Sequence, residues 1–124
     1  MGRKNTKSDL ERFLPLPGVT FQILVSLAGQ DLHGYGIMQD VLERTRGKMK
    51  LSPGTLYAAV KRMLEDGLLL ELEERPDPEE DDERRRYYRL TKLGRDIASA
   101  EATRLSALIQ QARSNGLRFG EVAE

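Results

Sequence analysis

The chain has no cysteine, no tryptophan and a single histidine among its 124 residues. Without cysteine there is neither a disulfide nor a thiolate metal site. A metal centre or a general base usually needs company, and His33, with Asp31 nearby, does not have it. No acid–base or nucleophile cluster stands out, so an enzyme, a cofactor and a metal are not expected. Apolar runs are also short. None approaches the roughly 20 residues needed to span a bilayer, and no signal-peptide pattern opens the sequence. Cytoplasm is the expected location, with no membrane as partner.

A net charge is missing too, since 20 basic residues balance 20 acidic ones. The balance hides a segregation. Residues 71–83 hold nine acidic groups against one basic group, Arg75, which leaves 19 basic and 11 acidic residues elsewhere. The remainder is a body of +8, compatible with phosphate binding, which responds to local potential rather than to total charge.

What is present reads as one modest domain with a projecting helix. Residues 1–14 are polar and basic and are expected to form a flexible arm. Pro15 and Pro17 precede a first helix over 18–29, with Leu16, Val19, Ile23 and Leu27 inward. A second helix runs from His33 to Arg46 and stops at Gly47. A third spans 51–66 and stops at Gly67. Leu68 to Glu73 then suggests a strand, Arg75 to Glu83 a loop broken by Pro76 and Pro78, and Arg84 to Leu90 a returning strand. Of Tyr87 and Tyr88, alternation puts one inward and one outward. Thr91 caps a last helix extending to about Ser114. The fold class is mainly α with a small β-hairpin: a winged helix-turn-helix over 15–90, a C-terminal dimerisation helix over 91–115 and a tail from 116 to 124.

The third helix is the most informative segment. Ser52 supplies a cap, and Pro53 fits the first helical position. Leu56, Ala59, Val60, Met63 and Leu64 make one apolar stripe. Gly54, Ala58 and Lys61 lie opposite, flanked by Thr55, Tyr57 and Arg62. Such a face, small and rimmed with Lys, Arg, Thr and Tyr, suits the DNA major groove. An ordinary amphipathic core helix fits this segment alone equally well.

The last helix, some 24 residues, is roughly 36 Å long and outreaches a three-helix body. Its stripe of Leu93, Ile97, Ala100, Leu105, Leu108, Ile109 and Ala112 calls for a partner helix, most simply that of a second copy.

Three segments, in order and at consistent separations over about residues 19–95, resemble the PadR-type family of bacterial transcriptional regulators. They are Asp31-Leu32-His33-Gly34-Tyr35-Gly36-Ile37-Met38; Leu51-Ser52-Pro53-Gly54-Thr55-Leu56-Tyr57 with Lys61-Arg62 and Glu65-Asp66-Gly67-Leu68; and Arg84 to Gly94. The single helix after the wing is similar to the family's short-tailed branch. The resemblance implies a homodimer, usually a repressor, bound to an inverted-repeat operator in double-stranded DNA. It also implies a candidate effector, a small aromatic or lipophilic molecule that releases DNA. Two departures stand out. Ala58 replaces a common proline, and the wing tip is acidic, so it is expected to stay away from phosphates.

The expected DNA-binding residues are Ser52, Thr55, Tyr57, Lys61 and Arg62, with Arg84, Arg85 and Arg86 at the base of the wing. Ser52 and Thr55 combine capping with phosphate contact. The Tyr57 phenol either meets phosphate or is buried, and Arg62 either meets DNA or pairs with a carboxylate. The expected dimer interface comprises Ile97, Leu105, Leu108, Ile109 and Ala112. His33 is expected to be structural at the start of its helix. Gly34 and Gly36 lack the setting of a dinucleotide loop and instead permit close packing or approach to DNA. A different class of function, a protein-interaction adaptor docking through the acidic loop 76–83, is the alternative.

Overall fold

A computed structural model describes residues 5–72 and 86–120. The elements in chain order are α1 (Lys7–Glu11), α2 (Gly18–Gly29), β1 (Leu32–His33), α3 (Gly34–Arg44), α4 (Pro53–Glu65), β2 (Leu69–Glu71), β3 (Tyr87–Leu90) and α5 (Lys92–Ser114). The core gathers Ile23, Leu24 and Leu27 of α2, Ile37 and Val41 of α3, Leu56, Val60 and Met63 of α4, and Ile97 of α5. Leu68, Leu69, Tyr88 and Leu90 close it from the sheet side.

Capping fixes where the helices begin. The hydroxyls of Thr6, Ser52 and Thr91 accept from backbone N–H groups three residues on, and His33 does the same for α3 through Nδ1, at 3.0 Å from Gly36 N. The lone histidine is thus a helix cap, and its ring also meets Tyr87 edge-on at 5.0 Å between centroids. Arg44 ties the end of α3 to α2. It donates to Asp40 and Gln22 Oε1 at 2.7 Å each, to the Gln22 carbonyl at 2.9 Å and to the buried Ser26 at 2.6 Å.

The sheet has three antiparallel strands in the order β1-β3-β2, with Leu32 opposite Tyr88 and Leu69 opposite Leu90. The sequence suggested only the β2–β3 hairpin. The added β1 is two residues long, joins the turn before α3 to the wing and is reinforced by Arg89, which grips Asp31 at 2.7 and 3.0 Å. Tyr88 is buried, whereas Tyr87 is half-buried rather than outward, because it covers His33.

Two further features differ from expectation. Residues 7–11 form a helix within the supposed arm, with a capping box between Thr6 and Asp9, and Leu10, Phe13 and Leu14 pack on the core. Ile97 is wholly enclosed by the chain's own core and is unavailable to a partner helix. A β-carbon on Gly94 would collide with the Leu68 carbonyl, so α5 starts pressed against the sheet, and its first turns are committed to the domain. Beyond Leu105 the helix is exposed apart from half-buried Ala112.

Candidate nucleic-acid interface

The face of α4 turned from the core is open. Gly54, Thr55, Tyr57, Ala58, Lys61, Arg62 and Glu65 are all exposed, while Leu56, Val60 and Met63 are buried. Nothing lies within 4 Å of where a Gly54 β-carbon would stand. Ser52 Oγ accepts from Thr55 N at 3.1 Å and donates to Thr55 Oγ1 at 3.0 Å, so the two hydroxyls are linked at the exposed helix start. The partial positive charge of that helix end favours an anion there.

Tyr57 takes a position between its two expected ones. It is 46% exposed, yet its hydroxyl end lies against Gly34 at the start of α3, where a β-carbon would overlap it. Gly34 therefore serves close packing between the two helices. Next to it, Tyr35 is 56% exposed and accepts a hydrogen bond from Gln39 at 2.9 Å. Two aromatic rings thus stand partly in solvent on the α3–α4 side.

The distribution of ion pairs is informative. Among the described residues Lys7, Arg44, Arg86, Arg89, Lys92 and Arg104 each have a carboxylate within ion-pair distance. Arg12 and Arg113 lie over the rings of Phe13 and Phe119, and Arg95 reaches the Ala28 carbonyl. Arg46, Lys48, Lys50, Lys61 and Arg62 have no such partner among the described residues. Apart from Arg118 beyond α5, the unpaired cations of the described chain thus fall between residues 46 and 62. Residues 46–62 hold five such cations and no carboxylate, with Glu43, Glu65 and Asp66 flanking them, so the stretch is locally basic on a chain with no net charge.

Lys61 and Arg62 are thus both exposed, and neither has a carboxylate within ion-pair distance among the described residues. Arg86 instead reaches across the strands to Glu71 at 3.0 Å. An exposed pair like this contributes little to stability. Arg84, Arg85 and the acidic loop 76–83 lie outside the described residues. The residues passed over in the sequence are Tyr35, Arg46, Lys48 and Lys50. For the two lysines a signal existed in the alternation of Lys48, Met49, Lys50, Leu51 and Ser52.

At the far end of α5, Leu108 and Ile109 are each 46% exposed. With Leu105, Ala112, Leu117 and Phe119 they line an apolar groove of about 620 Å³. A second cleft, of about 460 Å³, lies between α1 and α5 and is lined by Leu10, Leu14, Pro15, Ala100 and Thr103 together with the charged Lys7, Glu11 and Arg104. Among the described residues no three His, Asp or Glu side chains gather to hold a metal, and no helix is long and apolar enough to cross a membrane.

Residues 23–100 match the model of the transcriptional regulator PadR-like family. A Mycobacterium tuberculosis protein, transcriptional regulator Rv3488, is 33% identical over 93 residues, spanning 75% of this chain and 80% of its own. A PadR family transcription regulator from Clostridium difficile superposes with a TM-score of 0.66 at 26% identity, covering 79% of this chain and 97% of its own. A transcriptional regulator from Clostridium thermocellum shares the fold, with a TM-score of 0.65 at 20% identity over 93% of this chain and all of its own. With a capped, basic third helix of the helix-turn-helix beside a three-stranded wing, this chain belongs to the PadR-like family of DNA-binding transcriptional regulators and is not an enzyme.

Proposed function

We propose that the protein is a repressor that binds an inverted-repeat operator as a homodimer, reading each half-site with α4. The observation that carries this reading is the concentration of unpaired cations on and just before α4, next to a helix face of Gly54, Ala58 and Thr55 small enough for close approach to base edges. Ser52, Thr55, Tyr57, Lys61 and Arg62 are its DNA-contacting residues, with Arg84, Arg85 and Arg86 meeting the backbone from the wing.

Dimerisation in this reading uses the exposed half of α5: Leu105, Leu108, Ile109 and Ala112. Two half-exposed large aliphatic side chains one helical step apart, in a continuous apolar groove, support it. A symmetric dimer presents two copies of α4, which an inverted repeat mirrors. Release by a small aromatic or lipophilic effector completes the proposal. The apolar cleft between α1 and α5 supports it, since it is large enough for one ring system and touches the helix that would join the two copies.

Selection of bound fragments from random duplex DNA tests the proposal, combined with the mass of the resulting complex. The expected result is enrichment of an inverted repeat carrying two protein chains. Recovery of unrelated sequences, or a complex with one chain, would contradict it.

A further inference from the structure

We propose that the turn from Arg46 to Lys50 is a phosphate-binding element that anchors the protein on the DNA backbone, separate from the groove-facing residues of α4; this rests on the regulator reading above and adds a site to it.

The backbone gives the first reason. α3 ends at Arg44 with Thr45 as its cap, and Arg46 then takes a left-handed conformation, φ 53°, followed by Gly47 at φ 80°. The position after a helix cap is where glycine or asparagine normally stands, because a β-carbon is disfavoured there. Local structure alone would select glycine at residue 46 as it does at 47. An arginine is found instead, and its guanidinium has no carboxylate, ring or hydrogen-bond partner among the described residues. Its benefit to the chain lies outside the fold.

Rigidity gives the second. Thr45 Oγ1 donates to the Val41 carbonyl at 2.8 Å and accepts from Met49 N at 3.0 Å. Gly47 N reaches the Leu42 carbonyl at 2.8 Å, and Lys48 N the Thr45 carbonyl at 3.1 Å. Met49 is half-buried and Leu51 buried, so Lys48, Lys50 and Ser52 turn outward on alternate residues. A turn held this firmly presents its cations with little ordering cost on binding.

Position gives the third. The turn runs straight into the cap of α4. Lys48 and Arg46 lie four and six residues before Ser52, so the chain between reaches at most roughly 13 and 20 Å, against a major groove about 12 Å wide. With α4 in that groove, Arg46, Lys48 and Lys50 are within reach of the phosphates of its bordering strand. Contacts of this kind position a protein without reading sequence.

The test uses full-length protein with Arg46→Gly, Lys48→Gln and Lys50→Gln, singly and together. Each variant is titrated with its selected operator and with random duplex over a range of salt. The expected result is an equal fold-loss of affinity on both DNAs and a salt slope smaller by about 0.9 for each contact removed. Arg46→Gly is the decisive variant, because glycine relaxes the left-handed position, so its melting temperature should stay level or rise while DNA affinity falls. Unchanged slopes in all variants overturn the proposal, and so does a loss confined to the operator, which would mean base reading. Absence of salt-dependent binding by the unsubstituted protein overturns the regulator reading itself.

Discussion

Gly34 and Tyr57 share one space: a β-carbon on Gly34 would overlap the phenolic hydroxyl of Tyr57. Through that contact the start of α3 sets how an exposed aromatic of the candidate recognition helix is held. A glycine in the second helix and a tyrosine in the next are therefore one device, placing a ring that is partly in solvent.

This contact predicts a contrast between two glycine variants. In Gly34→Ala the obstructing atoms belong to the end of a half-exposed side chain, which can swing away, so the stability cost should be about 1 kcal/mol. In Gly94→Ala the obstruction is the Leu68 carbonyl, which also accepts from Thr91 N at 3.1 Å and has nowhere to go. That cost should reach about 3 kcal/mol or more. Urea unfolding measures both. Gly34→Ala should nonetheless weaken DNA binding by displacing Tyr57, and Gly34→Ala with Tyr57→Phe should show non-additive stability.

Glu101 predicts an acid sensitivity. Its side chain is 97% buried, at 3% exposure, and accepts from Arg104 at 2.6 and 2.9 Å and from Leu16 N at 3.3 Å. The Arg104 hydrogen bonds hold its carboxyl below the ordinary value of 4.5, outweighing the opposing effect of burial. A carboxyl depressed on folding stabilises the protein fully above its unfolded pKa, and that contribution disappears as pH falls through the lower folded value. Stability should therefore drop as pH is lowered from about 5 to about 3, and Glu101→Gln should be less stable at neutral pH with a shallower drop. Thermal melts across that range provide the check. Asp31, lowered by its hydrogen bonds from Arg89, contributes in the same direction.

The exposed end of α5 predicts the oligomeric state. Leu108→Glu with Ile109→Glu should convert a dimer to a monomer by sedimentation while leaving the helical circular dichroism unchanged. Operator affinity should fall with it, since two linked half-sites bind far more tightly than one. A dimeric double variant would remove these residues from the interface.

Much of this architecture was legible in the sequence, for physical reasons. α2 spans 18–29 as read from its proline entry and apolar stripe, and α4 starts where Ser52 and Pro53 said it would. These signals are local. The two-residue β1 has no periodicity of its own and exists only because β3 lies beside it. α1 has a readable cap, but five residues form a stable helix only through the packing of Leu10 and the Phe13–Leu14 segment after it. Ile97 shows the limit of a stripe, since periodicity marks an apolar face without saying whose atoms cover it. At the candidate interface, Lys61 was visible as a basic residue well outside the stripe. Arg46 was not, because a left-handed arginine looks like any other helix-ending residue until the backbone is seen.

If the outer face of α4 meets DNA, Lys61→Ala must weaken operator binding without disturbing the fold. Lys61 is exposed, has no carboxylate partner among the described residues and supports nothing in the core. Operator affinity of this variant, measured by titration at fixed salt, should fall about tenfold or more, equivalent to about 1.4 kcal/mol, with an unchanged melting temperature. Wild-type affinity from a normally folded Lys61→Ala protein would contradict the account.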